Sequence, residues 1–130
     1  MSVYISRSKA GRRRVLNESN VTALIRQYGF VVHHMEDLSV EEQIDLFGTA
    51  DKIIAPHGAG LVNMTFCSSP CQVLEIYPHN YLDSSFRILA NVLGFDYHCI
   101  IGTRKKPISE ANEEDIEVDM NMLESWLNSH

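Results

Sequence analysis

Residues 52–66, Lys-Ile-Ile-Ala-Pro-His-Gly-Ala-Gly-Leu-Val-Asn-Met-Thr-Phe, constrain the fold more than any other stretch of this chain. The apolar run Ile53-Ile54-Ala55 reads as a buried strand, and Pro56 ends it. His57-Gly58-Ala59-Gly60 then makes a tight turn, after which Leu61 to Phe66 can start a helix. A glycine turn between strand and helix lets backbone approach a ligand closely, and the helix start points unpaired N–H groups at it. The turn is therefore a candidate site for a phosphate or another anion, with His57 beside it.

The rest of the chain repeats the same alternation. Val3 to Ser6 reads as a first strand ending at Arg7. Asn17 is placed to cap a helix with Glu18 in its first turn, and Val21, Leu24, Ile25 and Tyr28 fall on one face before Gly29. Phe30 to His33 makes a second strand. Ser39 to Glu42 has capping-box spacing, and Val40, Ile44, Leu46, Phe47 and Ala50 supply the buried face that follows. Val73 to Ile76 is a fourth strand stopped at Pro78. Phe86, Leu89, Ala90 and Leu93 form a helical face ended by Gly94, and Tyr97 to Ile101 is a fifth strand. A polar loop is expected over about 103–117, then a last helix over about 119–128 with Met122, Leu123, Trp126 and Leu127 on one side.

Strands alternating with helices imply an α/β fold: a single three-layer, Rossmann-like domain over residues 1–130 with a parallel sheet of about five strands. Ligands of such folds bind beyond the carboxyl ends of the strands. Ser6-Arg7, His57 to Gly60, and Glu75 with Tyr77 all fall at those ends. Three separate pieces of sequence thus converge on one edge.

Composition narrows the function. The 130 residues are 45% hydrophobic, enough for one globular core. No apolar run is long enough to span a membrane, and no signal-peptide pattern opens the chain, so it reads as soluble. A formal net charge of −6 argues against general nucleic-acid binding. Yet Arg7, Lys9, Arg12, Arg13 and Arg14 precede any acid, a cluster suited to a compact anionic ligand; the plainer alternative is a solvated charged face. Cys67, Cys71 and Cys99 lack metal-type spacing and suggest buried thiols in a reducing compartment.

Several chemistries do not fit. Only Gly58 and Gly60 match the dinucleotide fingerprint, whose third glycine position holds Asn63, and no Lys-Ser/Thr pair follows to make a P-loop. His33 and His34 are adjacent on a strand and make poor co-ligands, so no metal is expected. His57, Asp51 and Ser68 could compose a hydrolase triad on paper, but the nucleophile turn is missing. Alone, His57 would more often be a satisfied structural histidine. Beside arginines at the same edge, a diphosphate is the better ligand, held by guanidinium groups and helix N–H groups, with Glu75 accepting ribose hydroxyls or satisfied by backbone.

Taken together, Ile5-Ser6-Arg7, Arg12-Arg13-Arg14, Asn17-Glu18, Glu42-Gln43, Leu46-Phe47, Ala50-Asp51, Ile54 to Leu61 with Asn63 and Phe66, and Val73 to Ile76 resemble glycosyltransferase family 61. The resemblance runs from Val3 to Ile101. It implies the C-terminal, nucleotide-sugar-binding half of a GT-B transferase that uses a UDP-sugar, inverts the anomeric centre and needs no metal or other cofactor, in polysaccharide (for example capsular) or glycan synthesis. Carried over by position, Arg7 and Arg12 or Arg13 would contact the phosphates. His57, Gly58, Ala59, Gly60 and Leu61 would hold the diphosphate, His57 stabilising the leaving group, and Glu75 would lie near the ribose or sugar. Asn17, Glu18 and Gln43 would cap helices and support turns. The implied compartment is the cytoplasm for a bacterial parent, or the ER or Golgi lumen for a eukaryotic one.

One half of a GT-B fold leaves the acceptor side and its general base to a missing N-terminal domain or partner chain, so this chain alone would bind donor without transferring sugar. Two other readings compete: a non-catalytic α/β interaction module that needs a partner domain, and a generic phosphate-binding or response-regulator-like domain, for which Asp51 is the lone strand-end acid.

Overall fold

The computed structural model of the protein describes residues 1–11, 13–80, 82–103 and 115–130. Among these, five strands form one sheet: β1 (Ser2–Ile5), β2 (Phe30–His33), β3 (Lys52–Pro56), β4 (Gln72–Tyr77) and β5 (Asp96–Ile101). Every pairing is parallel, in the order β2-β1-β3-β4-β5. The α-helices are α1 (Glu18–Arg26), α2 (Val40–Thr49), α3 (Ser85–Leu93) and α4 (Met120–Ser129). A 3-10 helix, Ala59–Phe66, connects β3 to β4. The expected α/β, three-layer architecture is the one observed.

Alternation along the strands sorts side chains into two cores. Tyr4, Ile54, Leu74, Ile76 and Ile100 pack with Val21 and Ile25 of α1 and Leu123, Trp126 and Leu127 of α4. Val3, Ile5, Ile53, Ala55 and Val73 face the other way, onto Phe47 of α2, Leu61 and Met64 of the 3-10 helix and Ala90 of α3. Adjacent Ile53 and Ile54 are thus both fully buried, which only a central strand covered on both faces allows. Each such side chain contributes about 1.5–3 kcal/mol of transfer free energy.

The topology positions the site. From β1 the chain crosses to β2 at the sheet's edge, then returns past β1 to β3, β4 and β5. The winding direction reverses between β1 and β3, and in open α/β sheets this reversal opens a crevice at the carboxyl ends.

Local signals explain most boundaries. Ser39 and Glu42 form a reciprocal capping box at α2. Gly94 ends α3 with φ 75°, a left-handed conformation that glycine adopts without a Cβ clash. Asp119 caps α4 by accepting from the N–H groups of Asn121 and Met122.

Other expectations are corrected. The helix expected over Leu61 to Phe66 is a 3-10 helix that begins two residues earlier, at Ala59. Val40 and Met122 are exposed, because their helices turn them away from the sheet. Cys71 is buried, with its thiol against the Ala50 carbonyl, but Cys99 is exposed; all three thiols are free. The polar stretch is not loop to its end. Residues 104–114 lie outside the described residues, whereas Asp115 and Ile116 are fully buried, and Ile116 bridges Val15 in parallel.

Asn17 also does more than mark a helix start. Its side chain makes no cap bond; instead Nδ2 donates to the Val118 carbonyl and Oδ1 accepts from the Val118 N–H, both at 2.9 Å. This two-point clamp ties the first helix to the segment leading into the last, and Val118 is buried. Removing it strands a buried backbone donor and acceptor, worth about 1–3 kcal/mol. Asn17→Ala should therefore lower stability by about 2 kcal/mol in urea titration, while Ser129→Ala at the exposed end of α4 changes it little. A loss for Asn17→Ala no larger than that for Ser129→Ala would contradict the clamp.

Candidate functional site

At the carboxyl end of β1 the chain is fixed before it reaches Arg7. The Ser6 N–H donates to the His33 carbonyl at 2.9 Å, and its buried hydroxyl donates to Glu18 in the first turn of α1. The same hydroxyl accepts from the Ser8 N–H at 3.1 Å, and Ala10 N–H closes a turn on the Arg7 carbonyl at 2.9 Å. Beyond the turn, Lys9 pairs with Asp37 at 2.7 Å, and the Ser8 hydroxyl meets His34 Nε2 at 2.9 Å. Both ends of the Arg7 backbone are thereby held.

The Arg7 side chain then crosses the crevice onto the turn after β3. A Cβ built on Gly58 would lie 2.1 Å from Arg7 Nη1 and 2.9 Å from its Cζ. The Gly58 backbone is extended (φ 170°), a conformation open to any residue, so glycine is needed here for space and not for dihedral freedom. The guanidinium lies directly on the backbone that begins the 3-10 helix. Leu61 N–H donates to the Gly58 carbonyl at 3.2 Å, and the N–H groups of Ala59 and Gly60 precede that first bond. Behind the turn, Gln43 donates to the Met35 and Leu38 carbonyls and accepts from Asn63 at 2.8 Å, locking α2 to the 3-10 helix.

Next to Gly58, His57 is buried and tied into the sheet. Its N–H donates to the Ile76 carbonyl at 2.8 Å. Ring Nδ1 lies 2.6 Å from Glu75 Oε2, and Tyr97 donates its hydroxyl to Glu75 Oε1 at 2.5 Å. Because the carboxylate accepts, the His57 proton on this side sits on Nδ1. The ring stacks on Tyr77, with centroids 5.3 Å apart and planes 21° from parallel, and Phe86 flanks it at 5.5 Å. Tyr77 donates in turn to the Asp83 carbonyl. Burial first, then the Glu75 carboxylate, pushes the Tyr97 phenol far above its ordinary pKa, and burial raises Tyr77 as well. Both phenols therefore remain protonated donors across the working pH range.

Beside this chain, a half-open cleft of about 360 Å³ lies between the end of β4, the start of α3 and β5. Tyr77, Leu82, Asp83, Arg87, Tyr97 and Cys99 line it, so Tyr77 and Tyr97 separate the cleft from the His57–Glu75 pair.

The structure brings Arg7, His57, Gly58 and the backbone of the 59–61 turn together, as the sequence suggested. Leu61 contributes only backbone, since its side chain is in the core with Met64. Gly60 lies against Met35 and Ile5. Glu75 is not at the crevice surface: it is fully buried, with one oxygen taken by His57 and the other by Tyr97. Arg13 is half-buried in the loop after β1, in a left-handed conformation (φ 56°). Neighbouring Arg14 turns instead to buried Asp115 at 3.8 Å. Arg12 and the side chain of Ala59 lie outside the described residues. Sequence reasoning missed Tyr97, Phe86 and Arg87. The period-two pattern held the signal for Tyr97, which pairs Val73 and so shares a sheet face with Glu75.

A sequence model described as Glycosyltransferase 61 matches residues 2–74, from the start of β1 into β4. The matched span holds Arg7, Asn17, Glu18, Gln43 and the whole His57 to Asn63 turn. A relative from rice (Oryza sativa subsp. japonica), a β-1,2-xylosyltransferase designated XAX1, is 36% identical over 77 residues, which is 58% of this chain and 14% of the rice protein. The chain thus spans only a small part of that relative's length. With more than half of its residues inside the family match, the chain belongs to the glycosyltransferase 61 family.

Proposed function

We propose that this chain carries the nucleotide-sugar donor site of an inverting, metal-independent glycosyltransferase, and that the donor is a UDP-sugar. The observation that carries this reading is the Arg7 guanidinium seated on Gly58 at the reversal point of the sheet. A planar cation and the N–H groups of a helix start then face one crevice, a combination that suits a diphosphate.

In transfer, the bond between the anomeric carbon and the diphosphate oxygen breaks, and negative charge grows on the departing diphosphate. Arg7 and the Ala59 and Gly60 N–H groups offset that charge without a metal, each already held in place. His57 stands beside the same turn, its ring held through Nδ1 by Glu75. The β4–β5 cleft lies about two strand spacings, or roughly 10 Å, from the β1–β3 crevice. That interval suits a donor with its diphosphate at Arg7 and the rest of the molecule extending past Tyr77. Activation of the acceptor hydroxyl is assigned to a second domain or partner chain, in keeping with the small fraction of the rice protein that this chain matches. That relative's xylosyltransferase name makes UDP-xylose the first sugar donor to assay.

Calorimetric titration with UDP and UDP-xylose tests this reading. Arg7→Ala should weaken UDP binding about tenfold to a hundredfold, the equivalent of one or two charge-assisted hydrogen bonds. Arg26→Ala, at the exposed end of α1, should leave it unchanged. Absence of heat at millimolar UDP in folded protein would overturn the donor site.

Gly58→Ala separates the guanidinium from the fold. A methyl group there displaces the end of a flexible side chain and no backbone, so the melting temperature should hold within a few degrees. UDP affinity should fall nearly as far as in Arg7→Ala. Combining the two substitutions should add little, because both remove the same contact. Full additivity in the double variant would show that Gly58 acts independently of Arg7.

A further inference from the structure

We propose that Asp96, His98 and His130 form a binding site for a divalent transition-metal ion of the zinc type, which joins edge strand β5 to the end of α4. One carboxylate oxygen and two imidazole nitrogens from these residues lie within 4.8 Å of one another. Asp96 and His98 are two apart on β5 and so share a sheet face, the one that α4 covers. His130 arrives from the last turn of the chain. The Asp96 carboxylate is 3.0 Å from His98 Nε2 through one oxygen and 3.7 Å from His130 Nε2 through the other.

The second contact sets the chemistry. His130 Nδ1 lies 2.9 Å from the Trp126 carbonyl, which can only accept, so Nδ1 carries the proton. In the neutral ring Nε2 is then a lone pair facing a carboxylate. Such a pair takes a cation between its atoms, either a proton or a metal ion. At 3.7 Å the gap is long for a direct hydrogen bond, yet close to the roughly 3.3 Å that separates two ligands on a tetrahedral zinc. A carbonyl on the far nitrogen is also the usual support for a metal-bound histidine, since it fixes both tautomer and ring plane. Trp126 stacks on the His130 ring at 4.8 Å and 17°, and the two histidine rings meet edge to face at 4.7 Å. Two imidazoles and one carboxylate make an N/O set suited to zinc and its neighbours, and three protein ligands leave the fourth position to water.

This site is separate from the donor crevice. Asp96 pairs Gln72 at the amino end of the sheet, while Tyr77 and Ile101 pair at the carboxyl end. Lys52, the first residue of β3, donates to the His130 carbonyl and holds the chain end at that same amino edge. The ion's role is structural, and it does not bear on the metal independence proposed for transfer. Its consequence for β5 is nevertheless direct. Tyr97 lies between the two β5 ligands and points to the opposite face, where its hydroxyl holds Glu75.

The test uses the whole chain and zinc chloride. Calorimetry should show one saturable site, weakened at least tenfold in His98→Ala and in Asp96→Asn, and unchanged in His79→Ala. Trp126 is the single tryptophan, so paramagnetic nickel at His130 should quench its fluorescence in the wild type and fail to do so in His98→Ala at the same concentration. Absence of saturable zinc binding up to about 1 mM, or wild-type affinity in both site variants, would overturn the proposal.

Discussion

A carboxylate with no exposed surface is the constraint around which the carboxyl half of the sheet is arranged. Glu75 sits in β4 on the face that α3 covers, where an unpaired charge would cost several kcal/mol. It is retained because both oxygens are taken, one by His57 and one by Tyr97. Those two bonds bind three neighbouring strands through side chains as well as backbone: β3 by the residue that follows it, β4 by the acid itself, and β5 by the tyrosine. They also decide what His57 is. A ring pinned by Nδ1, stacked on Tyr77 and flanked by Phe86 has little rotational freedom. Its orientation is fixed before any ligand arrives.

The other side of the crevice is built by a different logic. A pinned loop brings Arg7 to it. Ser6 anchors that loop to α1 through Glu18 and to β2 through its backbone, and the Lys9–Asp37 pair holds its far side. Surface pairs of that kind contribute little stability on their own. The effect of the Lys9–Asp37 pair here is geometric, since it closes the loop two residues beyond Arg7. Gly58 completes the arrangement by omission. Its missing Cβ is the space the guanidinium occupies, so a glycine in a strand-to-helix turn turns out to be a seat for a side chain.

How much of this was legible follows from which forces are local. Strand and helix positions were readable because burial periodicity is written residue by residue, and five parallel strands follow from their alternation with helices. The convergence of Arg7, His57 and Gly58 was readable because parallel winding sends every strand end to one edge. Glu75 was placed at the right edge but its complete burial was not legible, since burial depth depends on α3 and β5, distant in sequence. Tyr97 was hidden for the same reason. The Asn17–Val118 clamp and the buried Asp115–Ile116 bridge join positions about a hundred residues apart, which no local pattern encodes. Asn17 looked like a helix cap because Asn at that position usually is one.

The geometry also bears on what a complete transferase of this kind requires. In an inverting transfer the acceptor hydroxyl attacks the anomeric carbon from the side opposite the departing diphosphate. If the diphosphate rests on Arg7 and the 59–61 turn, the attacking face of the sugar looks away from this sheet edge. A single edge covers one side of a bound donor, so the base must approach from across the crevice. On the proposed reading His57 stands beside Gly58 on the diphosphate side, away from the attacking face. The need for a second domain or partner chain then follows, on that reading, from where one parallel sheet can place its cations.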